Sequence, residues 1–174
     1  SNTKAGTLAI AGDLVAHGAN PGEIAIHLYE KRSRKDVELM AQALNSLKFN
    51  ALGNVGWITI TQDMLQGRSW VGQHSEDIIQ FARMIDTVEI AVLFRETKQG
   101  NTKASFRSRS YMDVSRIAGK YGGGGHARAA GCTVDMPIDA AVPRIIDTVE
   151  QSINSPQNQG KVKSLQIPSP RSEL

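Results

Sequence analysis

The stretch Tyr121-Gly122-Gly123-Gly124-Gly125-His126-Ala127-Arg128-Ala129-Ala130-Gly131 restricts this chain more than any other. Glycine loses more backbone entropy on ordering than any other residue, so four in a row weaken a fold that does not use them. The uses are a backbone at positive φ, or a close approach that a Cβ would block. A flexible linker would mix glycine with serine, whereas this run is held between Tyr121 and His126. It follows a short helical pattern, Val114 to Tyr121, and leads into one titratable and one cationic side chain, His126 and Arg128. Exposed amide N–H groups beside such side chains make a seat for an anion. The run therefore reads as a loop whose backbone, Gly122 to Gly125, faces a negatively charged ligand.

Just upstream, two-residue alternation carries a second signal. Val88 to Phe94 is a near-continuous apolar run, as a central strand covered on both faces requires. The turn at Gln99-Gly100-Asn101 sends the next strand, Thr102 to Ser108, back against it as a hairpin. Ala104, Phe106 and Ser108 then share one face, and Lys103, Ser105, Arg107 and Arg109 the other. Phe106 belongs to the core, so the opposite face presents cations and a hydroxyl together. Lys103 and Arg109 read as ordinary solvent-facing residues. Arg107, flanked by Ser105 and Ser108 and close to the glycine run, is the candidate ligand group, because a guanidinium fork suits bidentate phosphate binding.

The rest of the chain supplies the frame. At 174 residues it is long enough for one good-sized core, and 40% hydrophobic with 21% charged residues describes a soluble globular protein. A net charge of +3 points only mildly to a polyanionic partner. The single cysteine, Cys132, excludes an internal disulfide and fits a reducing, cytoplasmic setting. No apolar run approaches the roughly 20 residues that span a bilayer. The chain opens Ser1-Asn2-Thr3 without methionine and reads as a piece of something longer. Leu8, Ala11, Leu14 and Val15 recur at helical spacing, Asn20-Pro21-Gly22-Glu23 reads as a helix start, and Ser33 with Asp36 reads as a capping box. His17 and His27 have no companions at ligand spacing. From Phe49 the period changes to strands, near Phe49 to Leu52 and Trp57 to Thr61, with a loop from Gln66 to Ser75 anchored by Trp70. A helix follows from Glu76 to Asp86. Gly131 to Val134 leaves the glycine loop as a strand, and a last helix runs from Val142 to Ile153 with Pro143 in its first turn. The expected architecture is α/β: a mixed sheet of about five strands with packed helices over 49–154, after a helical lead-in over 3–48. Residues 155–174 lack apolar periodicity and read as a disordered tail.

Ser105-Phe106-Arg107-Ser108, then Asp113-Val114-Ser115, then Gly-Gly-Gly-Gly-His-Ala-Arg-Ala-Ala-Gly at 122–131, resemble the DHH-associated domain, the C-terminal half of DHH phosphoesterases. The resemblance runs from about Thr3 to Ile153. Ser1-Asn2-Thr3, Leu28-Tyr29 and Ala91-Val92-Leu93-Phe94 look closest to the nanoRNase branch, which degrades very short oligonucleotides and removes phosphate from 3′-phosphoadenosine 5′-phosphate. In that family a separate N-terminal DHH domain holds two manganese ions with aspartates and an Asp-His-His motif. This chain has no Asp-His-His, so the resemblance implies the substrate-gripping half, with no cofactor and no catalytic residue of its own. It implies that Arg107 and the backbone of Gly123 to Gly125 grip phosphate, that His126 reaches the phosphate nearest the metals, and that Arg128 supports from the rim. Ser105, Ser108 and Gly122 complete the candidate set. The implied partners are short single-stranded RNA or DNA, nucleotide phosphates and the DHH domain. A stand-alone RNA-binding module, related to the glycine-rich domain of alanyl-tRNA synthetases, is the alternative.

Overall fold

Capping chemistry sets the N-terminal helices in this computed structural model, which describes residues 3–65, 72–156 and 158, with only the backbone over 72–76. The first helix is α1 (Ala5–Ala16). The Asn20 side chain then accepts the N–H groups of Gly22 at 3.0 Å and Glu23 at 3.3 Å, opening α2 (Pro21–Ala25). α2 runs on as a π-helical turn, Ile26–Glu30. Ser33 and Asp36 cap each other, Asp36 N–H to Ser33 Oγ at 3.1 Å and Ser33 N–H to Asp36 Oδ2 at 3.3 Å, at the head of α3 (Arg34–Asn45). His17 lies 2.8 Å from the Asp13 carbonyl, and the His27 ring 3.1 Å from Lys31 Nζ. No side chain of α1, α2 or the π-helical turn is buried, and Leu8, Ile10, Leu14, Leu28 and Tyr29 stand in solvent. The described residues up to Glu38 form one compact unit and those from Leu39 onward another.

The second unit is built on a mixed sheet: β1 (Lys48–Phe49), β2 (Val55–Ile60), β3 (Ile90–Glu96), β4 (Thr102–Ser108), β5 (Gly124–His126) and β6 (Ala129–Val134), in the order β1-β2-β3-β4-β6-β5. β2 and β3 are parallel, joined by a crossover through α4 (Gln62–Leu65) and α5 (Gly72–Met84); every other pair is antiparallel. The sequence led to about five strands, and the sixth is β5, inside the run read as a loop. Ala127 and Arg128 form a two-residue turn, His126 pairs with Ala129, and the glycines lie against β6. That ladder is backbone to backbone and needs no side chain, while glycine's poor strand propensity hides it from the sequence.

Other boundaries move: the first strand, expected near Phe49 to Leu52, is Lys48–Phe49, and the chain turns directly after it. α5 starts at Gly72, so the last part of the expected 66–75 loop is helix; Trp70 and the rest of that loop lie outside the described residues. The last helix, α7, begins at Ile138 and ends at Ile153, which puts Pro143 in its interior rather than its first turn. Proline has no N–H to give the carbonyl of Asp139, and Asp139 is exposed, so the break in the helix ladder falls on the solvent side. Of the 155–174 tail, only residues 155, 156 and 158 are described.

Among the described residues the two faces of the sheet carry cores of unequal width. On one, Val55, Val92, Phe94, Phe106, Ala130 and Cys132 pack with α7 and with α6 (Val114–Gly119) along nearly the whole width. On the other, Ile58, Ile60, Ala91 and Leu93 pack beneath Leu39 and Ala43 of α3 and Ile78, Ile79 and Ala82 of α5. That second core takes no residue from β4, β6 or β5. Burying each large apolar side chain contributes about 1.5–3 kcal/mol, so stability is drawn from one face entire and from half of the other.

Candidate anion-binding face

The half-face that the second core leaves out is where the sequence-predicted residues meet; Ser105, Arg107, Ala129 and Gly131 are half-buried there, and Gly124 and His126 exposed. Register aligns Arg107 with Ala129 and Ala129 with His126, so the three occupy one row and one side of β4, β6 and β5. The adjacent row is Ser105, Gly131 and Gly124. Arg107 and His126 thus stand two strand spacings apart, about 10 Å between backbones, with only a methyl group between them. Beside them the floor is two glycines and a serine. A guanidinium and an imidazole flanking a floor without bulk have the chemistry that an anion lying against the sheet would need. Arg107 also donates to its neighbour's carbonyl, Nη1 to Phe106 O at 2.9 Å.

The four glycines divide by the same alternation. Gly123 and Gly125 point toward the packed face. A Cβ on Gly123 would run into the Gly131 carbonyl oxygen and Cys132, and one on Gly125 would lie 2.5 Å from the Ala129 carbonyl oxygen. Gly125 also has φ +142, and Gly122, in the turn before β5, has φ +70. Gly124 points toward the bare face, and a Cβ there would meet nothing within 4 Å. The fold therefore needs Gly123 and Gly125 but not Gly124. β5 is the outer strand of the sheet, so one row of its backbone groups faces no strand.

Ser108 and Arg128 stand outside these two rows, Arg128 in the turn beside His126. Ser108 is one residue past Arg107, hence on the opposite side, and is 1% exposed. Its hydroxyl donates to Glu89 Oε1 at 2.9 Å and accepts from Arg128 Nη1 at 3.0 Å. Arg128 Nη1 also donates to the Met112 carbonyl at 3.3 Å. Glu89, 4% exposed, is a residue that sequence reasoning missed. Its carboxylate accepts the N–H groups of Tyr111 and Met112, each at 3.0 Å, and the Ser110 hydroxyl at 2.6 Å. The only signal was an acid interrupting an apolar stretch, between Val88 and Ile90. Burial and, secondarily, the Glu89 charge push the Tyr111 hydroxyl above its ordinary pKa. Arg109 is occupied at the C-terminal end of α5, where its Nη1 donates to the Ile85 carbonyl at 2.9 Å and to that of Asp86. Asp113 caps α6 by accepting Ser115 N–H at 3.1 Å; the Ser115 hydroxyl, first among the causes, holds its carboxyl below the usual range.

Among the described residues no three His, Cys, Asp or Glu side chains gather where one metal ion could bridge them. The donors on the bare face, a guanidinium, an imidazole and a hydroxyl, suit an anion; a divalent cation next to Arg107 would be repelled. On the other side of the sheet, a groove of about 590 Å³ runs past Tyr111, Asp113, Arg116, Lys120 and Gln151, and none of the sequence-predicted site residues lines it. No helix among the described residues is long and apolar enough to cross a membrane.

Residues 59–155 match the family described as DHHA1 domain. Over 154 residues the chain is 28% identical to the bifunctional oligoribonuclease and PAP phosphatase NrnA of Thermus thermophilus, covering 88% of this chain and 45% of that protein. A stretch of 36 residues, 20% of this chain and 9% of the relative, is 56% identical to the oligoribonuclease NrnB of Bacillus subtilis. An exopolyphosphatase-related protein of Bacteroides fragilis superposes with a TM-score of 0.74 at 20% identity, over 95% of this chain and 46% of that one. The pGpG-specific phosphodiesterase PggH of Vibrio cholerae superposes with a TM-score of 0.50, also at 20% identity, over 95% and 52%. At such identities the superpositions establish a shared fold. The chain spans about half the length of these longer relatives.

Proposed function

The chain belongs to the DHHA1 domain family, and from that premise we propose that it is the substrate-gripping half of a DHH phosphoesterase acting on short oligonucleotides and nucleotide phosphates. The observation that carries this is the row Arg107–Ala129–His126 on the side of β4, β6 and β5 that the second core leaves out. A phosphate above Ala129 accepts from the guanidinium on one side and from an imidazole N–H on the other. Ser105, Gly131 and Gly124 leave room for the adjoining sugar to lie flat. Arg128 supports from the rim. The row holds no aromatic residue besides His126, so the grip is on phosphate and sugar and leaves the base unread. Short single strands of RNA or DNA and nucleoside bisphosphates therefore share one mode of binding.

Hydrolysis we assign to a DHH domain outside these residues, where the two manganese ions would supply the attacking hydroxide and Lewis acidity. The side chains on this face bind and orient the phosphate and move no proton from a nucleophile. The apolar surface of α1, α2 and the π-helical turn supports the same division, because a helix apolar on all sides is ordinarily covered. The reading places the protein in the cytoplasm, with the nucleotides it binds.

Two measurements test this. A charge-assisted contact contributes about 1.5–3 kcal/mol, so Arg107→Ala is expected to weaken binding of a labelled trinucleotide about ten- to a hundredfold at fixed salt. The 174-residue chain supplied with manganese is expected to leave di-adenylate and 3′-phosphoadenosine 5′-phosphate intact. Turnover near ~1 s⁻¹, within the ordinary enzyme range, would return catalysis to this chain.

A further inference from the structure

We propose that Glu89 is a positioning residue for the anion-binding face, fixing the Arg128 guanidinium through Ser108 and the Met112 peptide, and with it the hairpin tip that presents His126. The inference rests on the phosphate-binding reading of that face.

The hydrogen bonds run in one direction. The Ser108 hydroxyl has a single proton, which goes to Glu89 Oε1 at 2.9 Å, and this leaves its oxygen to accept from Arg128 Nη1 at 3.0 Å. Met112 adds a second, mechanical link through its backbone: its N–H donates to Glu89 Oε1 at 3.0 Å while its carbonyl accepts from Arg128 at 3.3 Å. A buried carboxylate is thus joined by two short routes to a cation next to the site, and along the Ser108 route each bond polarises the next. The backbone closes the unit. Arg128 O accepts from Ser108 N at 3.1 Å, and Ala127 O from Val114 N at 2.9 Å. The tip that carries His126 is therefore fastened to the corner after β4, and the corner is fastened to Glu89.

The test is a set of double-mutant cycles on the 174-residue chain, using labelled triadenylate at fixed salt. Glu89→Gln keeps the shape and removes the charge; Ser108→Ala removes the link and leaves Glu89 in place. Each is expected to weaken binding about fivefold, and Arg128→Ala about tenfold. The doubles Ser108→Ala/Arg128→Ala and Glu89→Gln/Arg128→Ala should bind no worse than Arg128→Ala, because linked residues are not additive. Multiplicative losses, an Arg128→Ala variant that binds normally, or a folded Ser108→Ala variant with wild-type affinity would each overturn the proposal. Should Glu89→Gln fail to fold, the Ser108 cycle decides alone. Should the unaltered chain not bind triadenylate, the phosphate reading fails separately, and amide exchange over 124–129 decides. Faster exchange there in Ser108→Ala, with β3 unchanged, supports positioning; no change refutes it.

Discussion

One row of side chains crosses the whole sheet and changes character halfway: Ile58 and Leu93, then Ser105, Gly131 and Gly124. The backbone pairing is continuous, yet the first two residues are buried under helices, Ser105 and Gly131 are half-buried, and Gly124 is exposed. Leu93 and Ser105 are direct cross-strand partners, so the border between the two regimes is one strand spacing wide. The neighbouring row repeats the division, with Ala91 buried beside Arg107. Where side chains are large and apolar, α3 and α5 pack on them; where they are absent or charged, no core residue is drawn in. One half of the face stabilises the fold, and the other is the half to which we assign the ligand.

The comparison can be broken from either side. The largest effect belongs to the covered half: Leu93→Ala should cost about 3 kcal/mol in urea denaturation, while the folded protein binds trinucleotide with nearly unchanged affinity. An equal loss of affinity would mean that the two halves are not separable. The glycines sharpen the division. Gly123→Ala should destabilise by about 2 kcal/mol through a forced backbone shift. Gly124→Ala should change stability by less than ~0.5 kcal/mol and weaken binding about tenfold, by raising a methyl from the floor. Reversed results would put the ligand on the other side of β5. The smallest effect is expected at Lys103, on the same face but about 13 Å along β4 from Arg107. Lys103→Ala should alter affinity less than about threefold; if it matters and Arg107→Ala does not, the site lies further down the strand.

How much of this was legible in the sequence depends on the range of each interaction. The alternation along β4 is local, so Arg107 outward and Phe106 inward could be read directly, and both stand so. The same rule applied one residue further puts Ser108 inside, and pairing it with Arg107 as a flanking residue set that alternation aside. The β5 hairpin was hidden because its pattern is all backbone. Glu89 was hidden for a different reason: its partners lie 19 to 23 residues away, and no local period reports a contact at that distance. The Arg107–His126 alignment likewise required register across three strands, which glycine and alanine cannot announce.

The place of β5 at the edge of the sheet has a dynamic consequence. Arg107 rides on a strand paired on both sides, whereas His126 rides on three exposed residues paired on one. Local opening is cheapest where few apolar contacts and many solvent-exposed hydrogen bonds coincide, so the two ends of the seat belong to cooperative units of unequal stability. Affinity is then scaled by the fraction of molecules whose hairpin is closed. A ligand held at both ends ties the weaker unit to the stronger, and its arrival is recorded as slowed amide exchange in β5.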